Sequence, residues 1–233
     1  MHTDYPSERI RVSAVRPRIR DRATPKGLRC PSAASSIDRM SGFEVKPLGE
    51  TSWPDFERLV QKHNGVWGGC WCIAFHQKPT GNNREEKQCR VREGRTHAAL
   101  VYDGAEAVGW CQFGPTAELP RIKHKRQYEQ DLVSLPDWRI TCFFVDRDYR
   151  GKGVTSAALA GALSEIARLG GGIVESYPED VGGRTTSGSF LYNATVSIFE
   201  RQGFERTRRL GKNHWVVTKR VEALDSPDLT QTS

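Results

Sequence analysis

From residue 43 onward, apolar and polar positions follow two different periods, which predict strands alternating with helices. Alternating or continuous apolar runs typical of strands cover 43–48, 97–102, 107–113, 139–145, 173–177 and 215–219. A helical spacing of apolar residues predicts helices over 52–63, 154–169 and 190–202, and the polar run 82–94 predicts one with a solvated face. The mixture predicts an α/β fold, with Ser52 as the expected cap of the first helix.

Connections between these segments predict how the strands run. The turn 103–106 joins two apolar strands and indicates an antiparallel hairpin. Strand 139–145, helix 154–169 and strand 173–177 form a crossover, which predicts a parallel pair. The long connection from Pro115 to Pro136 is of the kind that often lies over a binding site.

Residues 1–40 show neither period, and four prolines lie there among arginines and serines. They hold nine Arg or Lys against four acids, a net +5 of the total charge of +7. We expect a disordered basic tail here, a folded domain over 41–222 and a short polar tail over 223–233. Met40 directly precedes the strand-like sequence, so a functional start at Met40 is one hypothesis, and an arginine-rich nucleic-acid arm is an alternative that such runs do not favour.

Composition indicates the class of protein and the compartment in which we expect it. Among 233 residues, 37% are hydrophobic and 27% charged, and neither a membrane-spanning apolar run nor a secretory h-region is present. We therefore expect a cytoplasmic protein with no membrane partner, and reduced cysteines. Cys70 and Cys72 are spaced more tightly than a zinc knuckle, so no metal is expected. Cys142 lies inside a central strand beside Phe143 and Phe144, which favours packing over a role as nucleophile.

One short segment predicts an anion site from backbone physics. Arg150-Gly151-Lys152-Gly153 follows a buried strand and precedes a helix. Glycines let the backbone approach a phosphate, and the unpaired amides of a helix start face it. The spacing is neither that of a Walker loop nor that of a dinucleotide fingerprint, so the turn alone is a weak signal.

Two motifs in the correct order resemble the GCN5-related N-acetyltransferase (GNAT) superfamily. The first is Val145-Asp-Arg-Asp-Tyr-Arg150-Gly-Lys-Gly153-Val-Thr155, and the second is Ile198-Phe-Glu-Arg-Gln-Gly203-Phe204. The resemblance covers about residues 43–220. It implies a mixed, mostly antiparallel sheet of six or seven strands, splayed at its centre and flanked by helices. It also implies transfer of an acetyl or other short acyl group from acyl-CoA to an amine, by direct attack in a ternary complex.

The resemblance also implies which residues bind acetyl-CoA. Backbone amides of the turn would hold the pyrophosphate, and the preceding strand would run beside the pantetheine arm. The positions carried over for cofactor binding are Phe143, Phe144, Val145, Arg150, Gly151, Lys152, Gly153, Val154 and Thr155. Thr155 departs from the Gly or Ala of the signature, and we expect from it a slightly altered affinity.

The catalytic groups are less well marked. Where many relatives carry a tyrosine that protonates the leaving thiolate, this chain has Phe199. Tyr177 and Tyr192 are the candidate substitutes. Glu175, at the end of the strand beside the splay, is the first choice of base, unless it is a structural carboxylate paired with a neighbouring cation.

Other candidates remain as alternatives. Asp137 and His97 stand behind Glu175 as bases. Aromatic residues that could line an acceptor groove, or pack in the core, are Trp67, Trp71, Trp110 and Trp138. The basic cluster Arg121, Lys123, His124, Lys125 and Arg126 could bind phosphate or an acidic acceptor, though a solvated loop is the plainer interpretation.

The partner and the activity are therefore only partly defined by the sequence. The amine acceptor, a small molecule or a protein, and a homodimer are left open. A non-catalytic acyl-CoA-binding or sensing domain is the alternative function, favoured by Phe199 and the absence of an obvious base.

Overall fold

The computed structural model describes residues 42–77, 81–130, 132–183 and 188–224. The predicted tail at 1–40 and all but the first two residues of the tail at 223–233 lie outside this range. The strands are β1 Glu44–Pro47, β2 His97–Asp103, β3 Glu106–Pro115, β4 Trp138–Val145, β5 Gly172–Ser176, β6 Glu205–Leu210 and β7 His214–Val221. The helices are α1 Trp53–Lys62, α2 Asn83–Arg92, α3 Lys125–Gln130, α4 Val154–Arg168 and α5 Val196–Glu200. Short 3₁₀ turns cover Arg147–Tyr149 and Gly188–Asn193.

The described strands form one mixed, mostly antiparallel sheet of seven strands in the order β1-β2-β3-β4-β5-β7-β6. Neighbours are antiparallel except β4 and β5, the predicted parallel pair. Only the first residues of β4 pair with β5, from Trp138 opposite Val174 to Ile140 opposite Ser176. Beyond Ile140, β4 continues to Val145 without β5 beside it, so the sheet is splayed at its centre as expected.

A bulge in β4 lies where the two strands part. Gln112 of β3 is opposite Cys142, but the next residue, Phe113, is opposite Ile140, which leaves Thr141 as the extra residue. The bulge shifts the alternation of β4. Ile140 therefore contributes to the core on the α4 face of the sheet, and Cys142 to the core on the opposite face.

Two layers of helices cover the sheet. On one face α4 and α5 pack over a core that includes Ile140, Phe143 and Val174. On the other face the apolar side of α1 and the residues after it pack on Trp110 and Phe144. Among the described residues, no helix is long and apolar enough to cross a bilayer.

A local side chain explains where α2 begins. Asn82 caps α2, because its side chain accepts hydrogen bonds from the amides of Arg84, at 2.8 Å, and Glu85, at 3.4 Å. The predicted cap of α1 is wrong in its detail. Ser52 precedes the helix but makes no capping bond; its hydroxyl donates to the carbonyl oxygen of Pro47 at 2.8 Å instead.

The single helix predicted over 190–202 is wrong, because the structure divides it into the turn Gly188–Asn193 and α5. Ala194 between them has a left-handed backbone, with φ at 57°. The amide of Val196 donates to the carbonyl oxygen of Glu179 at 3.1 Å, and the Glu179 amide donates to Ala194. Bonds to a neighbouring loop therefore replace the helical bonds that would join the two pieces.

Candidate functional site

A buried aspartate anchors the turn that follows β4. The carboxylate of Asp146 accepts hydrogen bonds from the amide of Asp148 at 3.1 Å and from Lys62 Nζ at 2.7 Å, and it lies 3.4 Å from His63 Nε2. Burial acts to raise the pKa of Asp146, but these hydrogen bonds outweigh it and hold the pKa below its usual value. The turn is thereby tied to the end of α1, a contact that the sequence motifs did not reveal.

The turn itself is open toward one side. Gly151 and Gly153 have left-handed backbones, with φ at 76° and 89°, and a Cβ added at either would meet no atom within 4 Å. Gly153 precedes α4, and the first amides of that helix have no partner within it. Arg150 is exposed, and Lys152 Nζ lies 4.6 Å above the Tyr149 ring. Such an arrangement of amides, helix dipole and cations can bind a diphosphate.

Near the gap between β4 and β5, two buried polar atoms have no hydrogen-bond partner among the residues that the structure describes. The hydroxyl of Thr141 is buried and makes no hydrogen bond within the described part of the chain. Asn193 donates through Nδ2 to the carbonyl oxygen of Tyr177 at 3.2 Å, while its Oδ1 also lacks a partner among the described residues. Unpaired buried polar atoms are costly, so these groups fit an extended ligand that carries amides.

The aromatic side chains of β4 do not face this gap. Phe143 packs edge-on against Phe199, with ring centroids 5.9 Å apart, on the α4 face. Phe144 stacks on Trp110 at 4.7 Å on the opposite face. Of the predicted strand positions, it is therefore the backbone up to Val145 that is available to a ligand.

Two predicted catalytic residues lie together in a buried polar cluster. Tyr177 donates its hydroxyl hydrogen to Glu175 Oε1 at 2.6 Å, and both side chains are buried. Arg139 lies opposite Glu175 in the sheet and contacts the Tyr128 hydroxyl at 3.4 Å. Burial, reinforced by the charge of Glu175, raises the pKa of Tyr177 well above its ordinary value. Tyr128 also forms a hydrogen bond with Glu175, so the partners of this carboxylate among the described residues include two phenols.

The third predicted catalytic residue lies elsewhere on the same face. Tyr192 belongs to the 3₁₀ turn before Ala194, and its ring centroid is 5.9 Å from that of Phe75. Burial, together with the nearby Cys142 and Glu179, raises the pKa of Tyr192. Its hydroxyl therefore stays protonated near neutral pH.

Phe199, which replaces the family's tyrosine, is fully buried. It packs edge-on against Phe204 at 5.0 Å as well as against Phe143. This position is part of the hydrophobic core and offers no proton donor.

The remaining candidate bases have other partners. Asp137 accepts a hydrogen bond from the amide of Ile173 at 2.7 Å and so fixes the start of β5. His97 stacks on Phe113 and lies 3.5 Å from Glu118 Oε1, on the opposite side of β4 from β5. Neither belongs to the Glu175–Tyr177 cluster.

The tryptophans divide between core and surface. Trp110 is fully buried, whereas Trp67 is 42% exposed. Trp71 stacks near Trp53, with centroids 6.3 Å apart, and the Trp138 ring donates to the Gly171 carbonyl at 2.8 Å. Trp67 is the most exposed of the four.

The long connection between β3 and β4 lines a cavity. The cavity measures about 560 Å³ and is mainly apolar, with Ile122 and Leu132 in its wall. Tyr128 and Arg139 of the polar cluster also line it. The basic residues of this connection, from Arg121 to Arg126, are largely exposed.

Comparison with known proteins identifies a family. The profile of the Acetyltransferase (GNAT) family matches residues 53–177. No curated protein matches the sequence at a significant level.

The solved structures that match this chain share little sequence with it. An acetyltransferase from Thermus thermophilus is 14% identical with a TM-score of 0.42, over 76% of this chain and 96% of that one. The ribosomal-protein-S18-alanine N-acetyltransferase of Escherichia coli is 12% identical with a TM-score of 0.42, over 80% and 98%. The yncA protein of Salmonella typhimurium, solved with its cofactor acetyl-CoA, is 13% identical with a TM-score of 0.45, over 81% and 99%.

Proposed function

The chain belongs to the acetyltransferase (GNAT) family, and from that membership we propose that it transfers an acyl group, first of all acetyl, from coenzyme A to an amine by direct attack in a ternary complex. The observation that carries the proposal is the parting of β4 and β5 beyond Ile140, with an open glycine turn at the end of β4. A long acyl carrier with a diphosphate at one end and amides along its arm matches both features.

The residues of the turn and the gap would hold the carrier. Amides from Arg150 to Thr155 bind the diphosphate, and the side chains of Arg150 and Lys152 add positive charge. The β4 backbone beyond Ile140 offers hydrogen bonds to the arm, and Thr141 and Asn193 offer side-chain atoms that are unpaired among the described residues. When bound, the thioester supplies an activated acyl carbonyl and a thiolate leaving group.

Glu175 is the base in this proposal. An amine that arrives protonated must lose a proton before it can attack, and a carboxylate can accept that proton directly or through a water molecule. Tyr177 orients the carboxylate through its 2.6 Å hydrogen bond. The raised pKa of Tyr177 keeps this phenol protonated, so the bond persists near neutral pH.

Tyr192 is the proposed acid. Phe199 is a core residue without a proton to give, and the Tyr177 hydroxyl is already bonded to Glu175. Tyr192 is protonated near neutral pH and lies near Cys142, beside the bulge where β4 leaves β5. A thiolate is a good leaving group, so loss of this acid should slow the reaction moderately rather than abolish it.

Calorimetry with coenzyme A tests the binding step. We expect the wild type to bind and the double variant Gly151→Val, Gly153→Val to lose at least about tenfold in affinity, because branched side chains would fill the open space above the turn. Gly94→Val is the matched control, since Gly94 also has a left-handed backbone, with φ at 64°, and open space around it. No binding by the wild type, or equal binding by the double variant, would refute the proposal.

An assay of turnover distinguishes an enzyme from a domain that only binds or senses acyl-CoA. Release of the coenzyme A thiol from acetyl-CoA is followed across a panel of amines that includes peptide N-termini, lysine side chains, polyamines and aminoglycosides. Binding without release with any amine would support the non-catalytic alternative, which the buried Phe199 favours.

A further inference from the structure

The cavity lined by the long connection has a buried cation in its wall. The cavity measures about 560 Å³, and its wall is mainly apolar, with Ile122, Leu132 and Leu135 among the lining residues. Arg139 also lines it, although this residue is only 3% exposed. Leu135 is 59% exposed, so the cavity is open to solvent beside it. A cavity of this size suits a small organic ligand.

Arg139 has hydrogen-bond donors that the protein does not use. One Nη donates to the carbonyl oxygen of Leu119 at 2.9 Å, and the other contacts the Tyr128 hydroxyl at 3.4 Å. A guanidinium carries more N–H groups than these two bonds use. In the part of the chain that the structure describes, its Nε has no partner and no carboxylate forms an ion pair with it. A buried cation without an anion of its own is unfavourable, so an anionic group in the cavity would be stabilised there.

A buried carboxylate lies beside this arginine on the next strand. Glu175 of β5 is opposite Arg139 of β4 in the sheet. Tyr128, which lines the cavity, contacts Arg139 and also hydrogen-bonds to Glu175. Since Glu175 lies outside the cavity wall, a ligand reaches it past this phenol or through a water molecule. The cavity therefore adjoins one positive and one negative group.

The two charged residues lie where the sheet parts. Arg139 directly precedes Ile140, the last residue of β4 that pairs with β5, and Glu175 directly precedes Ser176, which is opposite Ile140. In the proposed function the arm of the acyl carrier runs from the turn along β4, so its thioester end would lie near Ile140. An amine held beside Arg139 and Glu175 would meet the acyl group at this point.

The other charges near the cavity disfavour a polycationic acceptor. Lys125 lies in the wall, and further exposed cations of the same connection are Arg121, Lys123 and Arg126. The acids in the wall have partners already, because Glu129 lies 3.6 Å from Lys125 and Asp137 bonds the Ile173 amide. A polyamine or an aminoglycoside would meet repulsion and an apolar wall here, whereas a carboxylate would be attracted.

We propose that this cavity holds the amine acceptor and that the acceptor is an amino acid with a large apolar side chain. Its carboxylate binds Arg139, its amine faces Tyr128 and Glu175, and its side chain fills the apolar part of the cavity. A carboxylate and an amine on one carbon match two opposite charges on neighbouring strands, which are about 4.8 Å apart. The transfer step of this inference rests on the proposed function, whereas the binding step does not.

The transfer forms one bond and breaks one. The amine nitrogen bonds to the acyl carbon, and the bond between that carbon and sulfur breaks. Glu175 accepts the proton that the nitrogen loses, and the sulfur takes a proton from Tyr192, as in the proposed function. Proton exchange with solvent returns both residues to their starting states. The products are an N-acyl amino acid and the free thiol of coenzyme A.

Isothermal calorimetry with the full-length protein tests the site, first without coenzyme A and then with coenzyme A at saturation. We expect L-phenylalanine to bind, and 2-phenylethylamine, which lacks the carboxylate, to bind at least about tenfold more weakly. Glycine lacks the apolar side chain, and its affinity should also be lower by about tenfold or more. These comparisons need no variant of the protein. Equal affinities for L-phenylalanine and 2-phenylethylamine would overturn the proposal.

Arg139→Met removes the charge and keeps a long unbranched side chain. It should lower the affinity for L-phenylalanine at least about tenfold and leave that for 2-phenylethylamine unchanged. General damage to the fold would lower both affinities. Arg92→Met is the matched control, because Arg92 is an exposed arginine of α2, and it should change neither affinity. Unchanged binding of L-phenylalanine by Arg139→Met would contradict the assignment, and the comparison of ligands on the wild type decides if this variant does not fold.

The outcomes also separate this inference from the proposed function. If coenzyme A binds and another amine is acylated while L-phenylalanine, L-leucine and L-tryptophan do not bind, the acceptor class is wrong and acyl transfer stands. If L-phenylalanine binds in a manner that depends on Arg139 but coenzyme A does not bind, the site stands and acyl transfer is refuted. Failure of both ligands to bind would refute both.

Discussion

At the scale of single residues, the hydrogen bond between Tyr177 and Glu175 joins two side chains that the sequence marked out separately. Both lie on β5 or directly after it, two positions apart, so they point to the same face of the sheet. Alternation could therefore predict their proximity. It could not predict Arg139 and Tyr128 beside them, because those residues come from β4 and from a helix within the long connection.

Replacing the proposed base tests this cluster. Glu175→Gln keeps the size of the side chain and can still bond Tyr177, but it cannot accept a proton. We expect the rate of acyl transfer to fall about 10²- to 10⁴-fold while the affinity for coenzyme A stays the same. Steady-state kinetics and calorimetry measure the two effects.

Glu200→Gln is the matched control, since Glu200 lies on the surface and pairs with Arg206. An unchanged rate in Glu175→Gln would mean that this carboxylate is structural.

Buried histidine makes the stability of the fold depend on pH. His76 is fully buried against Thr96 and Gln112, and burial, with the charges of Lys87 and Arg90, lowers its pKa to about 2. Between this value and the unfolded pKa of about 6.5, only the unfolded chain binds the proton. The free energy of unfolding should therefore decrease as pH falls below about 6.5, by about 1.4 kcal/mol per pH unit from this group.

Urea unfolding at several pH values between about 4 and 8 measures the slope. In His76→Gln the unfolding free energy should depend less steeply on pH, by the contribution of about one proton. His97→Gln is the comparison for loss of an imidazole, because His97 is only partly buried. Equal slopes in the wild type and His76→Gln would show that His76 is not held neutral.

At the scale of elements, the strands and helices with strong periodicity were predictable from the sequence. The elements that the sequence did not predict have physical causes. β6 has the sequence Glu-Arg-Thr-Arg-Arg-Leu, and as an edge strand it is held by backbone bonds to β7 rather than by apolar alternation. α3 lies inside the connection that the sequence predicts as a loop. The break at Ala194 depends on bonds to Glu179, which no local pattern reports.

The contact between β3 and the start of α4 offers a test of packing. A Cβ added to Gly109 would lie 2.7 Å from the Phe144 carbonyl oxygen and 2.7 Å from Val154 Cγ1. Gly109→Ala should therefore push β4 and α4 away and lower the free energy of unfolding by about 1–3 kcal/mol.

Gly49→Ala is its control, because Gly49 has open space around it and no left-handed backbone. Chemical denaturation of both variants gives the comparison, and equal stabilities would contradict the close approach of α4 to the sheet.

At the scale of the whole molecule, the turn, the gap and α1 form one connected unit through Asp146. A ligand that occupies the turn and the gap should stabilise the entire fold. With coenzyme A at about a hundred times its Kd, we expect a gain of about 2.7 kcal/mol and a rise in Tm of roughly 5–10 °C.

Differential scanning calorimetry measures this rise, and hydrogen exchange should show slower exchange of the amides of 141–145 and 150–155. ADP, which has the diphosphate but no arm, should protect the turn and leave 141–145 unchanged. Protection of neither segment by coenzyme A would place the ligand elsewhere.

Among the described residues, no strand pairs with β4 beyond Ile140 on the side of β5. In the proposed reaction the acyl carrier would pair with this free strand edge, and it would have to leave at the end of every cycle. Each backbone bond that secures the incoming carrier has to be broken again when the spent carrier departs. The number of these backbone bonds therefore sets a compromise between the affinity for the carrier and the rate of its release. Fewer bonds would lower the affinity and speed the release.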